Sequence, residues 1–96
     1  MVTGTCKMVI RINGSFSLKD KRRTLKSLLE RLKSQFNVSA AEVGKNDKWS
    51  RAVIGVACIS NDASHTDAML QSIINFIDSD TRIEIINFVT EKIYSD

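Results

Sequence analysis

Residues 9–28, Val-Ile-Arg-Ile-Asn-Gly-Ser-Phe-Ser-Leu-Lys-Asp-Lys-Arg-Arg-Thr-Leu-Lys-Ser-Leu, change hydrophobic period in mid-course. Upstream, Val2, Gly4, Cys6, Met8, Ile10 and Ile12 fall on one side, and Thr3, Thr5, Lys7, Val9 and Arg11 on the other. A period of two with one polar side reads as a half-buried strand. Asn13-Gly14-Ser15 is a turn signal. Ser17 then stands as a helix N-cap, with Asp20 three residues on in place of the Glu of a capping box. Downstream, at 100° per residue, Leu18, Leu25, Leu28, Leu29, Leu32 and Phe36 fall within an arc of about 100°, the buried stripe of an amphipathic helix.

That helix carries most of the positive charge. Residues 17–33 hold seven basic residues (Lys19, Lys21, Arg22, Arg23, Lys26, Arg31, Lys33) against two acidic ones (Asp20, Glu30), a net charge of +5. The whole chain is +3, so the remainder sums to −2. Lys19, Arg22, Arg23, Lys26 and Lys33 share one flank beside the leucine stripe, broken only by Glu30. Lys21 falls inside the apolar arc, in the first turn, where its stem can run past the core. Arg31 points elsewhere. A one-sided basic helix suits a polyanionic partner, whose condensed counterions it displaces. A solvated face that keeps a small protein soluble would have the same composition.

The remaining segments extend the pattern. Val38–Val43 is a short apolar strand and Gly44-Lys45-Asn46-Asp47-Lys48 a hairpin loop. Ala52–Ile59 is nearly continuous in apolar residues, as in a central strand. Asn61-Asp62 caps a second helix that buries Met69, Leu70, Ile73, Ile74, Phe76 and Ile77. Ile83–Val89 is a last strand, with Thr90–Asp96 a tail or its extension. The order β-α-β-β-α-β predicts an α+β, ferredoxin-like sandwich over residues 1–96, with two helices on one face of a four-stranded antiparallel sheet. The first and third strands are central. Arg11, Lys19, Arg22, Arg23, Lys45, Lys48 and Arg51 then gather at one end with Trp49, and Asp47, Asp78 and Asp80 weaken the field there.

Composition narrows the class. At 96 residues, with 43% hydrophobic and 26% charged, the chain suits one compact soluble domain. No apolar run approaches the ~20 residues of a membrane span, and Lys7 and Arg11 interrupt the only apolar stretch near the N-terminus, so no signal peptide is read. Cys6 and Cys58 lack disulfide-framework spacing and fit a reducing compartment, hence the cytoplasm. They read as buried apolar residues, although their strands are neighbours and a disulfide is geometrically conceivable.

Candidate chemistry is sparse. Two cysteines and the single histidine, His65, have no metal-ligand spacing, and no nucleophile–base constellation or carboxylate pair is apparent, so neither metal nor cofactor is expected. The central strands carry no aromatic residue, which excludes the base-stacking sheet of RRM-type domains. The nucleic-acid-binding candidates are therefore Lys19, Arg22, Arg23, Lys26, Lys33 and Arg51 as phosphate contacts, with Trp49 available to stack on a base. Gly14, Ser15 and Ser17, feeding a helix N-terminus, are candidate anion ligands, though a turn that merely caps the helix explains them equally. Acylphosphatases use this fold and a comparable loop. Their glycine- and valine-rich motif ending in Phe-Arg is absent here, which leaves such a hydrolase a remote alternative.

The third strand is apolar at both alternating sets of positions. The fourth offers Ile83, Ile85 and Val89 on one side and Ile86 and Phe88 on the other. With both helices on one face, the other keeps an apolar patch that homodimerisation through the sheet face or an edge would cover.

Gly14-Ser15-Phe16-Ser17-Leu18-Lys19-Asp20-Lys21-Arg22-Arg23 with Leu25-Lys26-Ser27-Leu28 resembles the YlxP-like family, small bacterial proteins built on a domain of unknown function. Phe36-Asn37-Val38-Ser39, Ala41-Glu42-Val43, Trp49 with Arg51-Ala52-Val53, and Ser60-Asn61-Asp62 extend the resemblance over nearly the whole chain. It implies a ferredoxin-like fold and no established activity. Family genes often lie beside those of translation initiation factor two and ribosome-binding factor A, an association that points to RNA or the ribosome. The reading is a non-enzymatic RNA- or ribosome-associated binding protein, the alternative a homodimeric protein-interaction module.

Overall fold

A computed structural model describes residues 1–44 and 48–96. Strand β1 (Val2–Ile12) leads to helix α1 (Leu18–Gln35), hairpin strands β2 (Ser39–Gly44) and β3 (Arg51–Ser60), helix α2 (Ala63–Asp78) and strand β4 (Ile83–Tyr94). The sheet order is β2-β3-β1-β4, all neighbours antiparallel. This is the ferredoxin-like arrangement, with β1 and β3 central. Lys45, Asn46 and Asp47, the middle of the expected hairpin loop, lie outside the described residues.

The period-two strand and the 3.6-period helices meet in one core. Met8 and Ile10 from β1, Ile54 from β3, Leu28 and Leu32 from α1, and Ile73 and Ile77 from α2 are almost fully excluded from solvent. Phe36 and Phe76 pack edge to face at 5.6 Å where the helices end. Leu18 departs from the expected stripe: in the first turn of α1 it is 44% exposed.

Helix α2 packs tightly on the sheet at Gly4. A Cβ there would overlap Thr66 Cγ2 and stand 3.1 Å from Leu70 Cδ1. Thr66 is itself fixed, its hydroxyl 2.9 Å from Ser60 Oγ and donating to the Asp62 carbonyl at 3.0 Å. Asp62 caps the helix by accepting from the Ser64 and His65 N–H groups.

Two bulges decide which side chains face the helices. Between β1 and β4, Val9 pairs with Asn87 but Ile10 with Ile85, so Ile86 is an extra residue. Strict alternation through Ile86 would put Val89 with Ile83 and Ile85, and Phe88 opposite. The bulge reverses this: Phe88, opposite Met8, joins Ile83 and Ile85 on the helix side, while Val89, opposite Lys7, lies on the open face. In β2, Glu42 pairs with Ile54 and Gly44 with Val53, leaving Val43 extra. Beyond Val89 the chain continues as strand to Tyr94, so of the two expectations for Thr90–Asp96, tail or extension, the extension of β4 holds as far as Tyr94.

Asp80 ties α2, β4 and α1 together. Its carboxylate, 5% exposed, accepts from Arg82 Nη2 at 2.7 Å, Arg82 Nε at 3.0 Å, Arg31 Nη1 at 3.0 Å and the Arg82 backbone N–H at 3.0 Å. The Arg82 guanidinium holds this carboxyl down to about 2, against an ordinary value of 3.8. The native value is below the unfolded one, so the stabilisation is complete above about pH 4 and disappears as pH falls through about 2. By linkage it amounts to about 2 kcal/mol. Urea denaturation at pH 6 should find Asp80→Asn destabilised by about that much, and the deficit should vanish by pH 2.

Candidate functional site

The basic helix is anchored at its N-terminus by a reciprocal cap. Ser17 Oγ accepts from the Asp20 N–H at 3.1 Å, and the Asp20 carboxylate accepts from the Phe16 N–H at 3.1 Å. The preceding turn needs Gly14, whose φ of +74° lies in the left-handed region. Three loops meet here as expected. The Asn13 N–H donates to the Arg82 carbonyl at 2.8 Å, the Ile12 N–H to the Ser50 carbonyl at 2.7 Å, and Ser15 Oγ to the Trp49 carbonyl at 2.6 Å.

These bonds argue against the loop as an anion site. Ser15 is buried with its hydroxyl turned inward, and Ser17 is occupied by capping. Asp20 places a carboxylate at the helix N-terminus, where an incoming anion would meet repulsion. The Gly14–Ser17 segment is accounted for as a helix start.

The basic flank of α1 is a coherent surface. Lys19, Arg22, Arg23, Lys26 and Lys33 are all exposed, on the flank beside the buried Leu25, Leu28 and Leu32. Helical rise spreads them over about 21 Å. Arg22, Lys26 and Lys33 line a shallow groove of about 320 Å³ between α1 and β2, with Leu25, Leu29, Glu30 and Glu42. Among the described residues none of these five cations forms an ion pair. The cations that do are elsewhere: Arg11 with Glu84, Lys21 with Glu42, Arg31 and Arg82 with Asp80, and Lys92 with Asp67. Lys21 is buried, its ammonium 3.4 Å from the Lys48 carbonyl and 3.7 Å from Glu42, so it helps hold α1 to the hairpin.

Two expected members of the cluster fall elsewhere. Arg11 is bound to Glu84 at 3.2 Å. Arg51 is opposite Arg11 in the sheet, in the alternating set that faces away from the helices, so it is not continuous with the α1 flank. Trp49 does stay beside α1, its backbone tied to Ser15 and its side chain 52% exposed. Lys48 lies next to it; Lys45 is outside the described residues.

Phe16 was missed by reading the sequence for charge. It is 81% exposed, beside the Trp49 loop, on a backbone pinned at both ends. Its signal was present: the residue before an N-cap packs against the fourth helical residue in a hydrophobic staple, and here that residue is Lys21. A bulky apolar side chain without its local partner is thereby left outward.

With the surface described, comparison with known proteins places it. Residues 3–90 match the family described as "Protein of unknown function (DUF503)". The chain belongs to the DUF503 family. It is also 42% identical, over 79 residues, to the uncharacterized protein YlxP of Bacillus subtilis (strain 168), covering 82% of this chain and 84% of that one. The DUF503 match contains the whole α1 flank together with Phe16 and Trp49.

Within this DUF503 chain the cysteines are placed for packing. Cys6 pairs with Val56 and Cys58 with Gly4, both on the helix side, and both are free and buried. Burial pushes both thiols up, away from the reactive thiolate. Among the described residues no three His, Cys, Asp or Glu side chains are grouped to hold a metal ion, and no helix is long and apolar enough to cross a membrane.

Proposed function

We propose that this DUF503 protein is a non-enzymatic RNA- or ribosome-associated binding protein that grips the phosphate backbone with the α1 flank. The observation carrying this reading is the division among its cations. Among the described residues Arg11, Lys21, Arg31, Arg82 and Lys92 are paired with carboxylates, whereas Lys19, Arg22, Arg23, Lys26 and Lys33 stand exposed along one flank and none of them is in an ion pair. Point charges on flexible stems read backbone and shape rather than sequence. Phe16 and Trp49, at the N-terminal end of the row, supply exposed rings on which unpaired bases can stack.

Titration of a 20-nucleotide RNA by fluorescence anisotropy, between about 50 and 300 mM KCl, tests the reading. With four or five phosphates contacted, log affinity should fall with log salt at a slope of roughly −3 to −4. Undetectable binding at about 50 mM, or binding indifferent to salt, would reject it. The double variant Phe16→Ala/Trp49→Ala should weaken binding to single-stranded RNA by about tenfold or more, at roughly 1–3 kcal/mol per stacked base. It should leave the salt slope unchanged, since no cation is removed.

A further inference from the structure

The sheet face turned away from the helices has chemistry of its own. It displays Val43, Ile59, Val89 and Ile93, all more than half exposed, around half-buried Val53 and Ala57. At its centre lies a hollow of about 550 Å³, floored by Gly55 and the small Ala41 and Ala57, with Val43 and Val89 at its sides. Isolated exposed apolar residues are ordinary, but a contiguous field of this kind marks a contact surface. From Thr3 to Arg11 and across four strands the face measures about 27 by 19 Å. That is about 500 Å² of face per copy and about 1,000 Å² for a pair, the threshold that a specific interface has to reach.

Its charges indicate what covers it. Lys7 on β1 and Glu91 on β4 stand diagonally across one register step, since Thr5 pairs with Glu91 and Lys7 with Val89. Among the described residues neither Lys7 nor Glu91 is in an ion pair. At one end of the face Arg11 is paired with Glu84 beside Arg51, and in the apolar field around the hollow Lys7 and Glu91 are one charge of each sign, an arrangement complementary to itself: a two-fold axis sets Lys7 of each copy against Glu91 of the other. Val89 stands at the rim of the hollow and Ile93 is two residues further along the same side of β4, so each copy has both a plug and a socket. Among the described residues the face has no aromatic ring, and of its three cations, Lys7, Arg11 and Arg51, Arg11 is already held by Glu84, which disfavours nucleic acid as the occupant.

We infer that the open sheet face is an isologous interface with a second copy of this chain, closed by reciprocal Lys7–Glu91 pairs over the Val89, Ile93 and Gly55 field. The inference is independent of RNA binding, because it uses the opposite layer of the molecule.

Sedimentation equilibrium on nuclease-treated protein, from about 1 to 100 µM, is the test. A species of twice the 10.8 kDa chain mass is expected. Val89→Lys, at a site 59% exposed and so tolerant in the fold, should weaken dimerisation at least 100-fold while far-UV circular dichroism is unchanged. Lys7→Glu and Glu91→Lys should each weaken it about tenfold, and the double exchange should restore it. A monomer at 100 µM would overturn the inference, as would a dimer indifferent to Val89→Lys, or single charge variants that the double exchange fails to rescue.

Discussion

Replacing Arg22, Arg23 and Lys26 together with glutamate is expected to lower RNA affinity at 50 mM salt by at least about 100-fold. It should also flatten the salt dependence by about 2 in slope, because each lost phosphate contact removes roughly 0.7–0.9. The three side chains are exposed and make no ion pair among the described residues, so no internal interaction is sacrificed. Glutamate is a good helix former and is favoured by the dipole near a helix N-terminus, so α1 should persist. Thermal melting in parallel would verify that. The complementary change is Glu30→Lys, which removes the one acidic residue in the flank and should tighten binding several-fold with a steeper slope. Unchanged affinity in the triple variant would move the site away from α1.

Gly4→Val should be the most damaging single substitution in the sheet, costing about 3 kcal/mol. The first added carbon already overlaps Thr66 Cγ2 and presses Leu70 Cδ1. Thr66 cannot swing aside without giving up its bonds to Ser60 and Asp62 in the α2 cap. The helix must then rise from β1 and open the core beneath Leu70 and Ile73, an overpacking cost at the upper end of the usual range. For a domain of this size the melting temperature should fall by about 15 °C. Gly4→Ala should cost about 2 kcal/mol, and Thr66→Ser in the same chain should recover part of it, since serine keeps the hydroxyl and deletes the clashing methyl. Simple additivity of the two changes would show that the contact is not the cause.

Much of this architecture is legible from periodicity because the core is regular. The alternation from Val2 to Ile12 and the leucines of α1 needed no tertiary information. The side-chain sides of β4 did, because the bulge at Ile86 exists only through pairing with Val9 and Ile10, and an extra residue reverses every face beyond it. Val43 escaped for the same reason. Leu18 belongs to the leucine arc by angle, yet it sits in the first turn of α1 and stays exposed. In the candidate surface, the α1 cations were readable because helical spacing assigns them a flank. Arg11 and Arg51 were grouped by which end of the sheet they occupy, whereas strand parity assigns them to the other face, and Glu84 could neutralise Arg11 only once β1 and β4 were side by side. Phe16 escaped because exposure follows from a missing partner rather than from any pattern in its own neighbourhood.

Both helices lie on one side of the sheet, and the molecule is thin, 22 and 19 Å along its shorter axes. Pairing through the bare side would therefore stack the layers helix, sheet, sheet, helix, with the two cation rows on opposite outer surfaces. Such an assembly is bivalent. Two RNA segments could be held at once and far enough apart to avoid competition, and a second segment of the same strand would bind at the high effective concentration set by the first. A monomer could only coat RNA; the dimer would tether separate segments to each other.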